Sequence, residues 1–209
     1  YRGSDSFTPV LEFLFGKEII NIKGDNPKPY VDVYRTHSKV PIREYPEMIS
    51  LLIKDETRNE LINKLVFWEA SVSQRKTLVL TKRKEHAEIL MKKFEDLEGF
   101  YIIKAEDKER NEFLRAFKTG EKDFKCIIGT SALLVAGMDI PCLDPLFLVC
   151  DLQSPVLLNQ SAGRILRIFE GKPEAKIIDL QDNLNPILKR QFNSRYSQYK
   201  QNGWEVNFK

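Results

Sequence analysis

The chain is predicted to be an α/β protein: a mainly parallel sheet with helices on both faces, plus a basic helix near the carboxyl end. Three observations lead there. Short continuous apolar runs recur between residues 77 and 180, each of strand rather than helix length. Between them, apolar positions return at three- and four-residue spacing, as in helices that turn one face to a core. Strands that alternate regularly with such helices build parallel βαβ units.

The elements follow in order. Phe7 to Phe15 has apolar positions suited to a short helix with Pro9 in its first turn, and Gly24-Asp25-Asn26-Pro27-Lys28-Pro29 is a turn cluster. Tyr30 to Thr36 alternates as a strand, and Asp55 to Val72 reads as a longer helix with Leu61, Leu65 and Trp68 near one face. Thr77 to Thr81 is a short strand, and Ala87, Leu90, Met91 and Phe94 then repeat at helical spacing. Phe100 to Ile103 is the next strand, before a helix carrying Phe113, Leu114 and Phe117. Phe124 to Ile128, Leu146 to Cys150 and Lys176 to Leu180 complete the series. Pro186 to Gln201 is a basic, partly amphipathic helix ended by Asn202-Gly203, and Trp204 to Phe208 is an edge strand. In such sheets ligands sit beyond the carboxyl ends of the strands. Thr81, the Gly129-Thr130-Ser131 turn and Asp151 all fall at such ends.

Composition narrows the function classes. The 209 residues are enough to bury a core without staples. The three cysteines, Cys126, Cys142 and Cys150, lie in or beside apolar runs without metal-ligand spacing, and are read as small buried residues in a reducing compartment. No apolar run approaches the ~20 residues of a membrane span, and the amino terminus lacks a signal-peptide pattern. A soluble intracellular protein is expected, in cytoplasm or nucleus. The net charge of +3 does not announce a nucleic-acid binder. Local clusters say more: Arg75, Lys76, Lys82, Arg83 and Lys84 bracket one strand, and Lys189, Arg190, Arg195 and Lys200 follow the late helix. Such clusters either bind phosphate or form a solvated face.

The most specific signal is a pair of segments. One is Ile127-Ile128-Gly129-Thr130-Ser131-Ala132-Leu133-Leu134-Val135-Ala136-Gly137-Met138-Asp139-Ile140-Pro141. The other, one strand later, is Gln160-Ser161-Ala162-Gly163-Arg164-Ile165-Leu166-Arg167. They resemble motifs V and VI of superfamily 2 helicases and translocases, in the right order: a Thr/Ser turn before Gly-x-Asp, then Gln-x-x-Gly-Arg-x-x-Arg on a helix. Thr81-Lys82-Arg83, with Lys84, resembles motif IV. The resemblance covers residues 75–183 by motif and the rest of the chain more loosely. It implies a RecA-like lobe, the second of the two that make up such a motor. The Leu-Val-Leu-Thr-x-Arg strand and the ending Arg195 to Gly203 look most like helicases of phages and large DNA viruses and their repair and transcription relatives.

Roles follow from that resemblance. Arg164 and Arg167 would be arginine fingers, delivered to the γ-phosphate of ATP when the lobes close; the planar, permanently charged guanidinium suits the task. Three residues apart, they share a helix face. Gln160 would link the nucleotide site to the opposite lobe. Asp139 would accept a hydrogen bond from a ribose hydroxyl, with Gly137 supplying the backbone conformation, and Gly163 would permit close approach of helix and sheet beside the nucleotide. Thr130 or Ser131 would make the main phosphate contact of motif V, and Thr81, Lys82 and Arg83 would meet the nucleic-acid backbone. An ordinary helix cap is the alternative for the Thr130-Ser131 pair. His86, inside a predicted helix, reads as a packing or surface residue, and His37 supports no catalytic role.

No Gly-x-x-x-x-Gly-Lys-Ser/Thr occurs, since Gly16-Lys17-Glu18 and Gly171-Lys172-Pro173 lack the upstream glycine and the hydroxyl residue, and no Asp-Glu box occurs either. ATP and Mg²⁺ would therefore be held mainly by a preceding lobe, and this stretch alone should not hydrolyse ATP efficiently. Its first residues, Tyr1-Arg2-Gly3-Ser4-Asp5-Ser6, read as the start of an excised fragment. Residues 1–74 would then comprise the connection from the first lobe and the beginning of the second, 75–183 the RecA-like lobe, and 184–209 a terminal helix and edge strand. The expected function is an ATP-dependent DNA helicase or translocase whose partners are nucleic acid, DNA over RNA, and its own first lobe. The rivals are a non-catalytic nucleic-acid-binding module on the same scaffold, and a duplex translocase that does not separate strands.

Overall fold

The computed structural model describes residues 28–135, 138–149, 155–167 and 169–209. The expected helix at 7–15, most of the turn at 24–29, and Gly137, Cys150 and Asp151 lie outside them.

In chain order the elements are β1 (Tyr30–Arg35), α1 (Tyr45–Leu52), α2 (Glu56–Phe67, continued by one π-helical turn, Trp68–Val72), β2 (Thr77–Thr81), α3 (Lys84–Met91), β3 (Phe100–Ile103), α4 (Arg110–Thr119), β4 (Cys126–Thr130), α5 (Ala132–Val135), β5 (Leu146–Leu148), α6 (Pro155–Ile165), β6 (Lys176–Gln181), α7 (Pro186–Gln201) and β7 (Glu205–Phe208). The strands form one sheet in the order β3-β4-β2-β5-β6-β1-β7. Every neighbouring pair is parallel.

Side chains alternate across each strand, so an apolar run with both faces covered feeds two cores at once. Leu78, Leu80, Ile127, Leu146, Leu148 and Ile177 pack with Phe117 of α4, Leu158, Ala162 and Ile165 of α6, and Phe192 and Tyr199 of α7. Val79, Cys126, Ile128, Phe147, Ile178 and Leu180 pack with Ile62, Val66 and Ala70 of α2 and its π turn, and with Ala87 and Leu90 of α3. A third, smaller core joins Met48, Ile49 and Leu52 of α1 to Leu188 of α7.

Three departures from the sequence reading matter for the site. β4 runs two residues further than expected, so Gly129 and Thr130 end the strand itself rather than forming the turn beyond it. The core face of α2 is Ile62, Val66 and Ala70, whereas Leu61 and Leu65 are half-exposed and Trp68 is 59% exposed. The reason is that the inward stripe also takes Arg58, Asn59 and Glu69, whose polarity hides it from a hydrophobicity pattern. Arg58 Nε donates to Asp182 Oδ1 at 2.9 Å and Asn59 Nδ2 to Ile53 O at 2.8 Å, which offsets much of the cost of burying these groups. The third departure is α1, an eight-residue helix within a stretch, 37–54, to which no element was assigned. It starts at Tyr45-Pro46 without a side-chain cap and is held by its contact with α7 rather than by local signals.

His86 of α3 is buried beside α2, with Nε2 3.0 Å from Asn59 Oδ1. Burial, helped by the nearby Arg58 charge, pushes its pKa down from 6.5 to about 3. It is a packing residue. Between those two values the unfolded chain binds a proton that the folded chain does not, so stability is fully present above pH 6.5 and is lost as pH falls towards 3. One proton over the interval from pH 6.5 to 5 corresponds to about 2 kcal/mol. Urea unfolding at pH 7 and pH 5 is expected to show that loss in the natural chain and a smaller one in His86→Gln; equal losses in the two would disprove the assignment.

Among the described residues no helix is long and apolar enough to cross a membrane. The basic clusters are also partly structural. Arg195 is buried against Asp179, and Arg75, at the amino end of β2, lies against Asp144 (2.6 Å) and Glu69 (3.7 Å). For these two residues neither open reading holds, phosphate binding or a solvated face, because each guanidinium is already engaged by carboxylates within the fold.

Candidate functional site

The carboxyl edge of the sheet brings the ends of β2 and β4 together. β2 and β4 are neighbours in register, with Thr81 opposite Thr130. Ser131 N–H donates to Thr81 O at 2.8 Å, so the turn after β4 is tied to the end of β2. Gly129 is required there by contact: a Cβ at this position would overlap the Leu133 side chain and lie 2.8 Å from Ile103 O. Only glycine lets α5 settle this close to the strand end. Thr130 is 7% exposed and Ser131 is half-exposed, which leaves Ser131 the more accessible of the two.

The loop after β2 is shaped from within. Thr81 is fully buried and its hydroxyl donates to Arg83 O at 2.9 Å, so it holds the turn. A direct contact from the Thr81 side chain to nucleic acid is therefore corrected to a supporting role. The Arg83 guanidinium bonds Ser50 Oγ (2.8 Å) and Pro46 O (3.0 Å) of α1. Lys82 is exposed, with its ammonium 5.9 Å from the Tyr45 ring centre. Helix α1 is thus the platform on which the basic loop rests. No sequence signal beyond Pro46 at a helix start pointed to it.

α6 carries two stripes. Leu158, Ala162 and Ile165 face the core, and Gln160, Gly163 and Arg164 fall between them on the outer side at three- and four-residue spacing. Gln160 is exposed and Arg164 half-buried. Arg167, which continues the outer stripe, lies two residues past the helix end, so the two arginines share an edge rather than one regular helical face. Gly163 is also corrected: a Cβ there would meet nothing within 4 Å, so the glycine is not needed for packing of this helix on its own sheet.

Asp139 is the junction. Met138 and Ile140 on either side of it are buried and anchor the backbone, while the carboxylate is half-exposed. It forms ion pairs with Arg167 and with Lys118 of α4, the latter at 2.7 Å. The Gly-x-Asp segment and the end of the Arg-x-x-Arg segment are therefore in direct contact. Lys118 was not singled out from the sequence, because its neighbour across the edge becomes visible only once α4 is placed. Among the described residues, no group of three or more His, Cys, Asp or Glu is placed to hold a metal ion. The donor set here, guanidinium, ammonium, carboxylate and hydroxyl, suits phosphate and ribose; it does not suit Mg²⁺, which needs clustered oxygen ligands.

Comparison with known proteins identifies the family and agrees with the fold. Residues 57–169 match the model of the helicase conserved C-terminal domain. Protein 161L of Invertebrate iridescent virus 6, named as a candidate helicase, is 31% identical over 97% of this chain and 48% of its own length. The transcript termination protein OPG145 of Variola virus is 32% identical over 57% of this chain and 25% of its own length. The chain thus spans about half or less of these relatives. Among solved structures, T4 UvsW superposes with a TM-score of 0.71 over 86% of this chain and 41% of that one at 18% identity. S. cerevisiae Dbp5 bound to RNA and ADP BeF3 gives a TM-score of 0.60 over 88% of this chain and 42% of that one at 16% identity. The chain belongs to the helicase conserved C-terminal domain family, with a RecA-like α/β fold.

Proposed function

We propose that this chain is the second motor lobe of an ATP-dependent DNA helicase or translocase, supplying arginine fingers to ATP and backbone contacts to nucleic acid. The observation that carries the reading is the direct pairing of Arg167 with Asp139, which joins the Gly-x-Asp and Gly-Arg-x-x-Arg segments. Arg164 and Arg167 are the fingers, and Gln160, exposed on the same stripe, reaches toward the opposing lobe. Asp139 receives a ribose hydroxyl; while the lobe is apart from its partner, its carboxylate keeps the Arg167 guanidinium close to where it acts. Gly137, outside the described residues, remains part of this proposal, as does a place beside the nucleotide for Gly163. Lys82, Arg83 and Ser131, with Thr130 in support, contact phosphate and sugar, which carry no base information.

ATP with Mg²⁺ brings the phosphoanhydride whose cleavage drives the lobes apart, and both are held mainly by the first lobe. DNA is favoured by the resemblance of the Leu-Val-Leu-Thr-x-Arg strand and the Arg195 to Gly203 ending to helicases of phages and large DNA viruses; Dbp5, solved with RNA, is only 16% identical. The likeness to viral proteins supports a location within an infected cell.

The test is ATP turnover by the protein with both lobes, alone and with single-stranded DNA, duplex DNA or single-stranded RNA. Stimulation is expected, stronger with DNA. No turnover under any condition would overturn the motor reading in favour of a nucleic-acid-binding module. Strand-displacement against triplex-displacement assays would then separate unwinding from movement along duplex.

A further inference from the structure

The turn that leaves the finger segment brings one ammonium against the backbone of both motifs. Lys172 Nζ donates to Pro141 O at 3.1 Å, to Arg167 O at 3.2 Å, and to Ile165 O. Pro141 lies two residues after Asp139, Ile165 ends α6, and Arg167 carries the guanidinium paired with Asp139. The last carbonyls of a helix lack intrahelical donors and carry the negative end of its dipole. An ammonium has three protons, and here three carbonyls receive them.

Lys172 is delivered by local geometry. Gly171 has φ +75°, a left-handed conformation that favours glycine, and Lys172 N–H closes the turn onto Phe169 O at 3.1 Å. The side chain is half-buried, and burial lowers its pKa while the Asp144 carboxylate opposes the shift. The three hydrogen bonds of this ammonium go to the two motif segments.

We infer that Lys172 is a positioning residue for Arg167, tying the carbonyl beneath the finger and the carbonyl beyond Asp139 to a single point. This rests on Arg167 being a finger. By fixing both backbones, Lys172 sets where the guanidinium stands relative to Asp139, and hence where it enters the nucleotide site when the lobes close. A misplacement of about 1 Å in a catalytic group costs on the order of 10²-fold in rate.

The experiment is steady-state ATP hydrolysis by the two-lobed protein with saturating DNA, comparing Lys172→Met, Lys172→Arg, Arg167→Ala and Lys172→Met/Arg167→Ala. Lys172→Met is expected to lower kcat by about 10- to 100-fold with KM for ATP little changed, because the first lobe holds the nucleotide. Lys172→Arg, which keeps the charge and several donors, is expected to recover most of that loss. The double variant should be no slower than Arg167→Ala alone, since a misplaced finger and an absent one are equivalent. Should Lys172→Met fail to fold, Lys172→Gln carries the same comparison. An unchanged kcat, or a loss that adds fully to that of Arg167→Ala, would overturn the inference alone. Natural turnover in Arg167→Ala would instead remove the finger reading, and this inference with it.

Discussion

Arg167→Ala in the two-lobed protein is expected to lower DNA-stimulated ATP hydrolysis by about 10³- to 10⁵-fold, the range over which arginine fingers act in nucleotide hydrolases. DNA binding should be spared, because the groups assigned to it lie on the β2 and β4 ends and not on α6. The fold should be spared as well. Arg167 and Asp139 are 38% and 35% exposed, and an ion pair so open to water contributes at most about 1 kcal/mol. A large loss of rate with a small loss of stability thus distinguishes a finger from a structural ion pair. Arg167→Lys should rescue little, since an ammonium cannot reproduce the planar fork. Single-turnover hydrolysis with melting curves on the same preparations is the measurement. Retained turnover in Arg167→Ala would reject the finger assignment, and Arg164→Ala is expected to follow Arg167→Ala in direction.

The largest effect on stability is expected from the opposite kind of arginine. Asp179, in the middle of β6, is fully buried and accepts from Arg195 Nε at 2.9 Å, Arg195 Nη2 at 2.8 Å and the Tyr199 hydroxyl at 2.7 Å. Arg195→Met removes the charge that offsets this carboxylate. Breaking a buried pair from one side costs about 3–5 kcal/mol, because the remaining charge is left desolvated. For a chain of this size that is a drop in Tm of about 6–20 °C. The double variant Arg195→Met/Asp179→Leu should regain much of the loss, as well-packed apolar groups often replace a buried pair without penalty. If the single variant melts within a degree or two of the natural chain, the pair does not hold α7 on the sheet in the way described.

The contrast between these arginines shows how far reading along the chain could go. Arg164 and Arg167 were recognisable because Gln-x-x-Gly-Arg-x-x-Arg is a local pattern, and Asp139 because it lies in Gly-x-Asp. Arg195 looked like one more positive charge on a basic helix, since its carboxylate comes from a strand sixteen residues away. Arg58 and Glu69 misled in the reverse direction: their polarity obscured the inward stripe of α2, so Leu61, Leu65 and Trp68 were placed on its apolar face instead of Ile62, Val66 and Ala70. Helix α1 escaped notice for a related reason. Eight residues are too few to be stable alone, and its partner, α7, begins more than a hundred residues later.

The sequence by itself determined the strand and helix alternation, the parallel sheet with both faces covered, the edge on which Thr81 and Thr130 fall, and the identity of the motif residues. These are properties of short spans: side-chain period, turn residues and motif spacing act within a few positions of one another. Only the tertiary structure decided that Thr81 supports its loop from within, that Arg83 rests on α1, that Asp139 joins Arg167 to Lys118, and that Lys172 gathers the carbonyls of both motifs. Each of these depends on groups brought together by packing, where a charge is worth what its neighbours make it, and a one-dimensional pattern contains no neighbours beyond the next turn of the chain.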